Sequence, residues 1–296
     1  MNIIRHKFIF FTFSCFLVVG SIFAVAVWGL RPAIDFTGGS LLEIEFRDRR
    51  PPVEEVRRAL EPLGLGTLTL QPAGEKGLLL RFKSIDESVH GEIVHKLGEG
   101  ILEKRFDSIG PTIGKELWRR AWIALALAIA AIVLYIAWAF RKVSEPVSSW
   151  KYGVVAVAAL LHDVLIPTGV FAVLGHFHGV EVDALFVTAL LTVMGFSVHD
   201  TIVVFDRIRE NLRMLTRAEP FEGVVNRSIN ETVVRSINTS FTVLLVLGAI
   251  MVWGGSTSVY FALALILGIT FGTYSSIFIA SPLLVVWQQV GMRQKK

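Results

Sequence analysis

Cysteine is almost missing. The chain has 296 residues and one cysteine, Cys15, inside an apolar run. An internal disulfide and a cysteine-held metal are therefore both excluded. Charge is scarce as well, with Asp, Glu, Lys and Arg at 18% against 53% hydrophobic residues and a mean hydropathy of +0.60. That balance belongs to integral membrane proteins. The pI near 9.3 does not argue for nucleic acid, because the basic residues sort by loop. Nor does a nucleophile stand with a base suited to hydrolysis, so no enzyme and no cofactor are expected.

What is present is long apolar runs. A hydrocarbon core of roughly 30 Å needs about 20 apolar residues per spanning helix. Six segments meet that length: Phe8–Leu30, Ala121–Phe140, Gly153–Gly175, Ala184–Phe205, Ile237–Trp253 and Val259–Trp287. The sixth is long enough to tilt, or to end early near Pro282. Ala24-Val25-Ala26 after Arg5 and Lys7 offers the pattern of a cleaved signal peptide. The apolar run is long for that role, so it is read as a span.

Lys and Arg set the expected orientation. Arg5 and Lys7 precede the first span, Arg141, Lys142 and Lys151 join the second to the third, and Arg207, Arg209, Arg213, Arg217, Arg227 and Arg235 join the fourth to the fifth. Arg293, Lys295 and Lys296 close the chain, whereas His176–Asp183 and Gly254–Ser258 hold no Lys or Arg. Both termini (residues 1–30 with the first span, and the tail 288–296) are expected on the cytoplasmic side. In the cytoplasmic link 206–236, DRIRENLRMLTR continues the fourth span, Glu219-Pro220 breaks it, and PFEGVVNRSINETVVRSI reads as an amphipathic helix on the inner leaflet. Its Asn226, Asn230 and Asn238 read as a solvated or partner-facing stripe.

Residues 31–120 form a non-cytoplasmic insert with 15 basic and 15 acidic residues, so it is no polycationic surface. LLEIEF alternates as a half-exposed strand does, Pro52 to Leu63 suits a helix, GTLTLQP and GLLLRFKS are strands joined at Ala73–Lys76, and SIDESVHGEIVHKL is helical. The order strand, helix, strand, strand, helix, strand predicts a small α+β domain of ferredoxin-like type. His90 and His95 read as solvated helix positions rather than a metal pair. Asp35, Phe36, Gly38 and Gly39 form a tight turn into the first strand. A Gly-Gly pair can bind an anion through backbone N–H groups, but the lysine and following helix of a phosphate loop are missing.

Two acids lie in apolar helix, Asp163 in the third span and Asp200 in the fourth. A carboxylate there costs at least a few kcal/mol if ionised, so such residues usually serve proton or ion traffic. Arg207 follows Asp200 by two turns, shares its face, and is expected to approach it or to close a polar path toward Asp163. The alternatives are a neutral structural acid at 163, a structural polar contact at 200 and a topological Arg207. His162 and His199 each precede an acid, but adjacent helix positions point 100° apart, so neither is expected to form a dyad. Metal binding by these four is conceivable but has little to support it. Gly268 and Gly272 form a GxxxG packing signal followed by Ser275 and Ser276, without naming the partner helix.

Several of these stretches together resemble one family. DFTGGSLLEIEF, LLHDVLIPTGVF and FSVHDTIVVFDRIRENLR, with FDSIGPTIGKEL and NRSINETVVRSINTSFT, are similar in sequence and order to the SecF family, the smaller partners in SecD/SecF protein export. The usual Asn-Asp of the fourth span is His199-Asp200 here. The resemblance implies six transmembrane helices with a periplasmic insert in the bacterial inner membrane, SecD and the SecYEG channel as partners, and a machine of resistance–nodulation–division type. That machine would use the proton motive force to draw a preprotein outward. Asp163 would then face an acid supplied by SecD, with Asp200 and Arg207 in the same proton path. The other readings are half of a proton-driven exporter of a small molecule or lipid, and an assembly factor indifferent to Asp163.

Overall fold

A computed structural model describes residues 2–98, 100–140, 148–214 and 219–293. Arg141, Lys142, Arg217, Lys295 and Lys296, used above for orientation, lie outside the described residues. The chain divides into two compact units, Pro32–Ile123 and Met1–Arg31 with Ala124–Lys296.

The first unit is a sheet covered by helices. After a short helix α2 (Ile34–Thr37) come β1 (Gly39–Phe46), α3 (Val53–Leu60), β2 (Thr69–Ala73), β3 (Gly77–Phe82), α4 (Glu87–Leu97) and β4 (Ile101–Ile109). All pairings are antiparallel, in the order β2-β3-β1-β4. This is the split βαβ arrangement expected of a ferredoxin-like domain. Alternation explains its core: Leu42, Ile44, Leu78 and Leu80 are fully buried on one face with Leu60 and Ile93 from the helices. Glu43 and Glu45 take the other parity of β1, and Lys104 Nζ lies 2.8 Å from Glu45 Oε2. Ser40 and Ser108 clasp the sheet to the loop before α4, their hydroxyls 2.9 Å apart, with Ile85 N–H donating to Ser40 Oγ at 3.2 Å.

His90 departs from the solvated position expected of it. Its ring stacks on Phe106 with centroids 3.9 Å apart, and its two nitrogens lie 3.4 Å from Glu87 and 3.1 Å from Glu103. A flat ring covers an aromatic neighbour well, and acids on α4 and β4 satisfy both edges.

The second unit is helical. It holds α1 (Lys7–Trp28), most of α5 (Pro111–Ala139), α6 (Ser149–His178), α7 (Ala184–Met214), α8 (Phe221–Trp253), α9 (Ser256–Ser275) and α10 (Ser281–Arg293). Among the described residues, six helical stretches are long and apolar enough to cross a membrane, α9 and α10 counting as one. This is the expected fold class, with the four-stranded domain between the first two spans.

Two elements differ from the sequence reading. The surface helix and the fifth span are one 33-residue helix, α8. The stripe Phe221, Val225, Ser228, Thr232, Ser236 and Ser240 is buried along its length, so this face turns into the protein rather than onto a leaflet. Asn226 is likewise not solvated: its Oδ1 accepts from Ile3 N–H at 2.9 Å. Nor does the sixth span end at Pro282. A π-helical turn, Ser276–Ala280, joins α9 to α10. Proline lacks an N–H and its ring crowds the carbonyl one turn earlier. The wider turn accommodates both, and Ser281 Oγ donates to Ser276 O at 3.1 Å.

Candidate functional site

Asp163 stands midway along the 30-residue α6 with no exposed surface. Three helices meet it. Its Oδ2 accepts from Ser197 Oγ of α7 at 2.5 Å and from Ser275 Oγ of α9 at 2.7 Å. Its Oδ1 lies 2.8 Å from His162 Nδ1, which corrects the expectation that neighbouring helix positions keep the two apart. The Cα–Cβ directions do diverge, but rotation about the Cα–Cβ bonds lets the longer imidazole side chain turn toward the carboxylate outside the helix. The other ring nitrogen, Nε2, lies 3.2 Å from Ser14 Oγ of α1. Ser14 reaches Tyr274 Oη at 3.3 Å, and Tyr274 donates to Phe10 O at 3.1 Å.

Small residues bring these helices close. A Cβ on Gly268 would lie 2.1 Å from Val193 Cγ2, and one on Gly272 would lie 3.2 Å from Ser197 Cβ. The GxxxG face therefore packs on α7, a partner the motif alone could not name. Four residues further on, Ser276 and Thr201 hydroxyls lie 2.9 Å apart. On the other side, a Cβ on Gly169 of α6 would lie 2.4 Å from Ser21 Cβ of α1. Ser14 meets His162 seven residues away along the same seam, two turns on each helix.

Asp200 lies three residues beyond Ser197, about one turn or 4.5 Å along α7. It is 5% exposed. Around it stand Ser236 of α8 and Thr273 of α9, and Ser240 shares a hydrogen bond with Thr273. Yet Asp200 Oδ2 and Ser236 Oγ are both buried without a hydrogen-bond partner of good geometry. Both oxygens of Asp163 are held by well-formed hydrogen bonds, whereas Asp200 has only the looser approach of Ser236 and Thr273.

Arg207 does not reach Asp200. Its Nε lies 2.6 Å from Glu231 of α8 and its Nη1 2.6 Å from Glu210. Asn211 donates to the same Glu231 oxygen at 2.8 Å. Two carboxylates nearer than Asp200 take the guanidinium, which ties the extension of α7 to α8. Arg235, exposed, adjoins Ser236 on α8.

Asp35, Phe36, Gly38 and Gly39 sit in the sheet unit, where they make a close packing of backbone. Gly38 (φ 74°) follows α2, and a Cβ there would lie 2.7 Å from Pro111 Cα. One on Gly114 would lie 2.8 Å from Gly38 N. Phe36 packs edge-on to Trp118 with centroids 5.1 Å apart.

Ser14, Ser197 and Tyr274 escaped the sequence reading, which used Arg235 only for orientation, and the spacing of the serines carries the one signal available. Ser14 and Ser21, like Ser197 and Thr201, are polar residues one or two turns apart inside apolar runs. Among the described residues no group of three or more His, Cys, Asp or Glu could hold a metal.

Comparison with known proteins agrees with this architecture. Residues 89–290 match the family of the protein export membrane protein SecD/SecF, C-terminal part, and residues 23–48 match the SecD/SecF GG motif. The chain is 45% identical to protein translocase subunit SecF of Thermobaculum terrenum and 43% to that of Anaerolinea thermophila, in each case over 97% of this chain and 94% of the relative. The crystal structure of SecDF from Thermus thermophilus, a translocon-associated membrane protein, is similar at a TM-score of 0.83 and 33% identity. That match covers 98% of this chain but 39% of the SecDF chain. With its six spans, its four-stranded insert and its glycine turn all in family order, the chain belongs to the SecD/SecF family of protein-export membrane proteins as a SecF translocase subunit.

Proposed function

We propose that this SecF subunit works with SecD to convert the proton motive force into the late outward movement of a preprotein through SecYEG. In this reading it is a transport component of the bacterial inner membrane and not an enzyme. The termini are cytoplasmic and the sheet unit is periplasmic. The paucity of Lys and Arg between α6 and α7 and between α8 and α9, against Arg207, Arg209, Arg213 and Arg227 on the other side, supports that orientation.

The observation that carries the proposal is the Asp200 carboxylate, buried among membrane helices, whose Oδ2 has no hydrogen bond of good geometry although Ser236 and Thr273 stand beside it. Unsatisfied buried polar atoms are uncommon and call for an account. A group that takes up and releases a proton supplies one. Arg235 offers the deprotonated state a counter-charge, while Arg207 serves as the tie between α7 and α8. Asp163 belongs to the same path but is saturated within its own chain, so its partner need not come from SecD. A proton crossing the potential supplies about 2.3 kcal/mol per 100 mV. That is enough to bias a two-state packing of α7 against α8 and α9, and α5 is the covalent link by which a change among the membrane helices continues into the sheet unit.

The test is Asp200→Asn, assembled with SecD and SecYEG in vesicles of defined pH gradient. We expect normal assembly and loss of the gradient-dependent part of export. Undiminished stimulation would overturn the proposal, and failure to co-purify with SecD would overturn the partner assignment.

A further inference from the structure

The hydrogen bonds from Asp163 to α1 can be oriented by working back from their far end. Phe10 O is a carbonyl and can only accept, so Tyr274 spends its one hydroxyl proton there. Tyr274 Oη must then accept from Ser14, which spends its own proton. Ser14 Oγ can therefore only accept from His162, so Nε2 carries a hydrogen. At the other edge Nδ1 faces Asp163 Oδ1 at 2.8 Å. A proton must lie in that contact, on the nitrogen or on the oxygen, because a bare nitrogen and a bare carboxylate would repel. Oδ2 has its own partners in Ser197 and Ser275, and Ser275 Oγ also lies 3.1 Å from Gly272 O, so the Oδ2 edge does not replace the proton required at Nδ1 and Oδ1.

We propose that Asp163 and His162 store one proton between them, and that Ser14 and Tyr274 form a hydroxyl chain that signals its loss to α1. The released proton passes to water or to a carboxylate. The ring, left with one hydrogen, keeps it on Nδ1 to serve Asp163, and Nε2 becomes an acceptor. The Ser14 hydroxyl turns to Nε2, the Tyr274 hydroxyl turns to Ser14, and Phe10 O loses its side-chain donor. One proton leaves and every other one is kept. Protonation thus decides whether Tyr274 of α9 holds α1 by two hydrogen bonds, to Ser14 and Phe10 O, or by the one to Ser14. Among the described residues, Asp163 and Tyr274 are the titratable groups that meet the ring, and its other close aromatic neighbour is Phe271. The stored proton stands on this geometry alone, and its use in export rests on the reading given above.

The test is ¹⁵N spectroscopy of histidine-labelled full-length protein with SecD in lipid nanodiscs. The His162 signal is assigned by its disappearance in His162→Gln, or by its displacement in Ser14→Ala should that variant fail to assemble. We expect Nε2 to be protonated at neutral pH and to lose its hydrogen as pH rises. Tyr274→Phe frees Ser14 to turn, and should move that loss to lower pH. A bare Nε2 at neutral pH, or a pH profile unmoved by Tyr274→Phe, would overturn the proposal. The two readings fail separately. Bare Nε2 removes the dyad and leaves export through Asp200, whereas full stimulation in Asp200→Asn removes that export reading and leaves the dyad.

Discussion

Asp163 and Asp200 are the same side chain in opposite surroundings. Two hydroxyls and an imidazole fill the first, while the second has only the looser approach of Ser236 and Thr273. Removing an acceptor that several buried donors share leaves each of them unsatisfied, at about 1–3 kcal/mol apiece. Asp163→Ala should therefore lower the thermal midpoint of the detergent-solubilised protein markedly. Asp163→Asn, whose amide oxygen still receives Ser197 and Ser275, should lower it much less; equal midpoints would show that the network adds no stability. The sequence makes the acids themselves legible, since a carboxylate in hydrocarbon is always conspicuous. It does not reveal which oxygens are satisfied, because Ser197 and Ser275 come from two other helices and are ordinary small residues until packed. His162 was misjudged by a rule about Cβ directions that says nothing of where a longer side chain can reach.

Among the elements, close approach is set by small residues and held by charge. Gly268 faces Val193 with no room for a methyl group. Gly268→Leu should force α9 from α7, at a cost of about 1–3 kcal/mol for overpacking, and should reduce recovery of folded protein by gel filtration. Gly20→Leu, where a Cβ meets nothing within 4 Å, is the matched control. Farther along α7, Arg207 joins Glu231 and Glu210. Arg207→Ala should speed amide exchange at residues 207–214 and 221–231 while gradient-stimulated export persists. Lost stimulation with unchanged exchange would return Arg207 to the proton path. The GxxxG motif was readable and its partner was not. The continuity of α8 was hidden by a change of environment midway, from charged to apolar neighbours, although its inward stripe runs unbroken across Ser236 and Ser240. At Pro282 the rule that proline ends helices gave way to a π turn backed by Ser281.

At the scale of the molecule, the two units draw stability from different sources, so acid should affect them differently. In the sheet unit, the bond and charge of Lys104 hold the Glu45 carboxyl below the usual range. The Ser88 hydroxyl, then the Val89 N–H, do the same for Asp86 at the start of α4. Both groups contribute stability above their unfolded values, about 4, and lose it as pH falls through their lower folded values. Amide exchange in residues 32–123 should therefore rise below about pH 4, and Lys104→Met should flatten that rise; a profile identical in the variant would discount the pair. The order of elements in this unit was plain from alternation and turn residues. The role of its glycines was not, because it depends on segments far apart in the chain, Gly38 against Pro111 and Gly114. Gly38 lies against Pro111, and Gly114 against Gly38, so the polypeptide enters and leaves the sheet unit through one pinch of backbone. A domain closed at its neck is a cassette. It can lengthen, shrink or be exchanged for another while the backbone that enters and leaves it stays closed, which leaves the sheet unit free to diversify beyond its own neck.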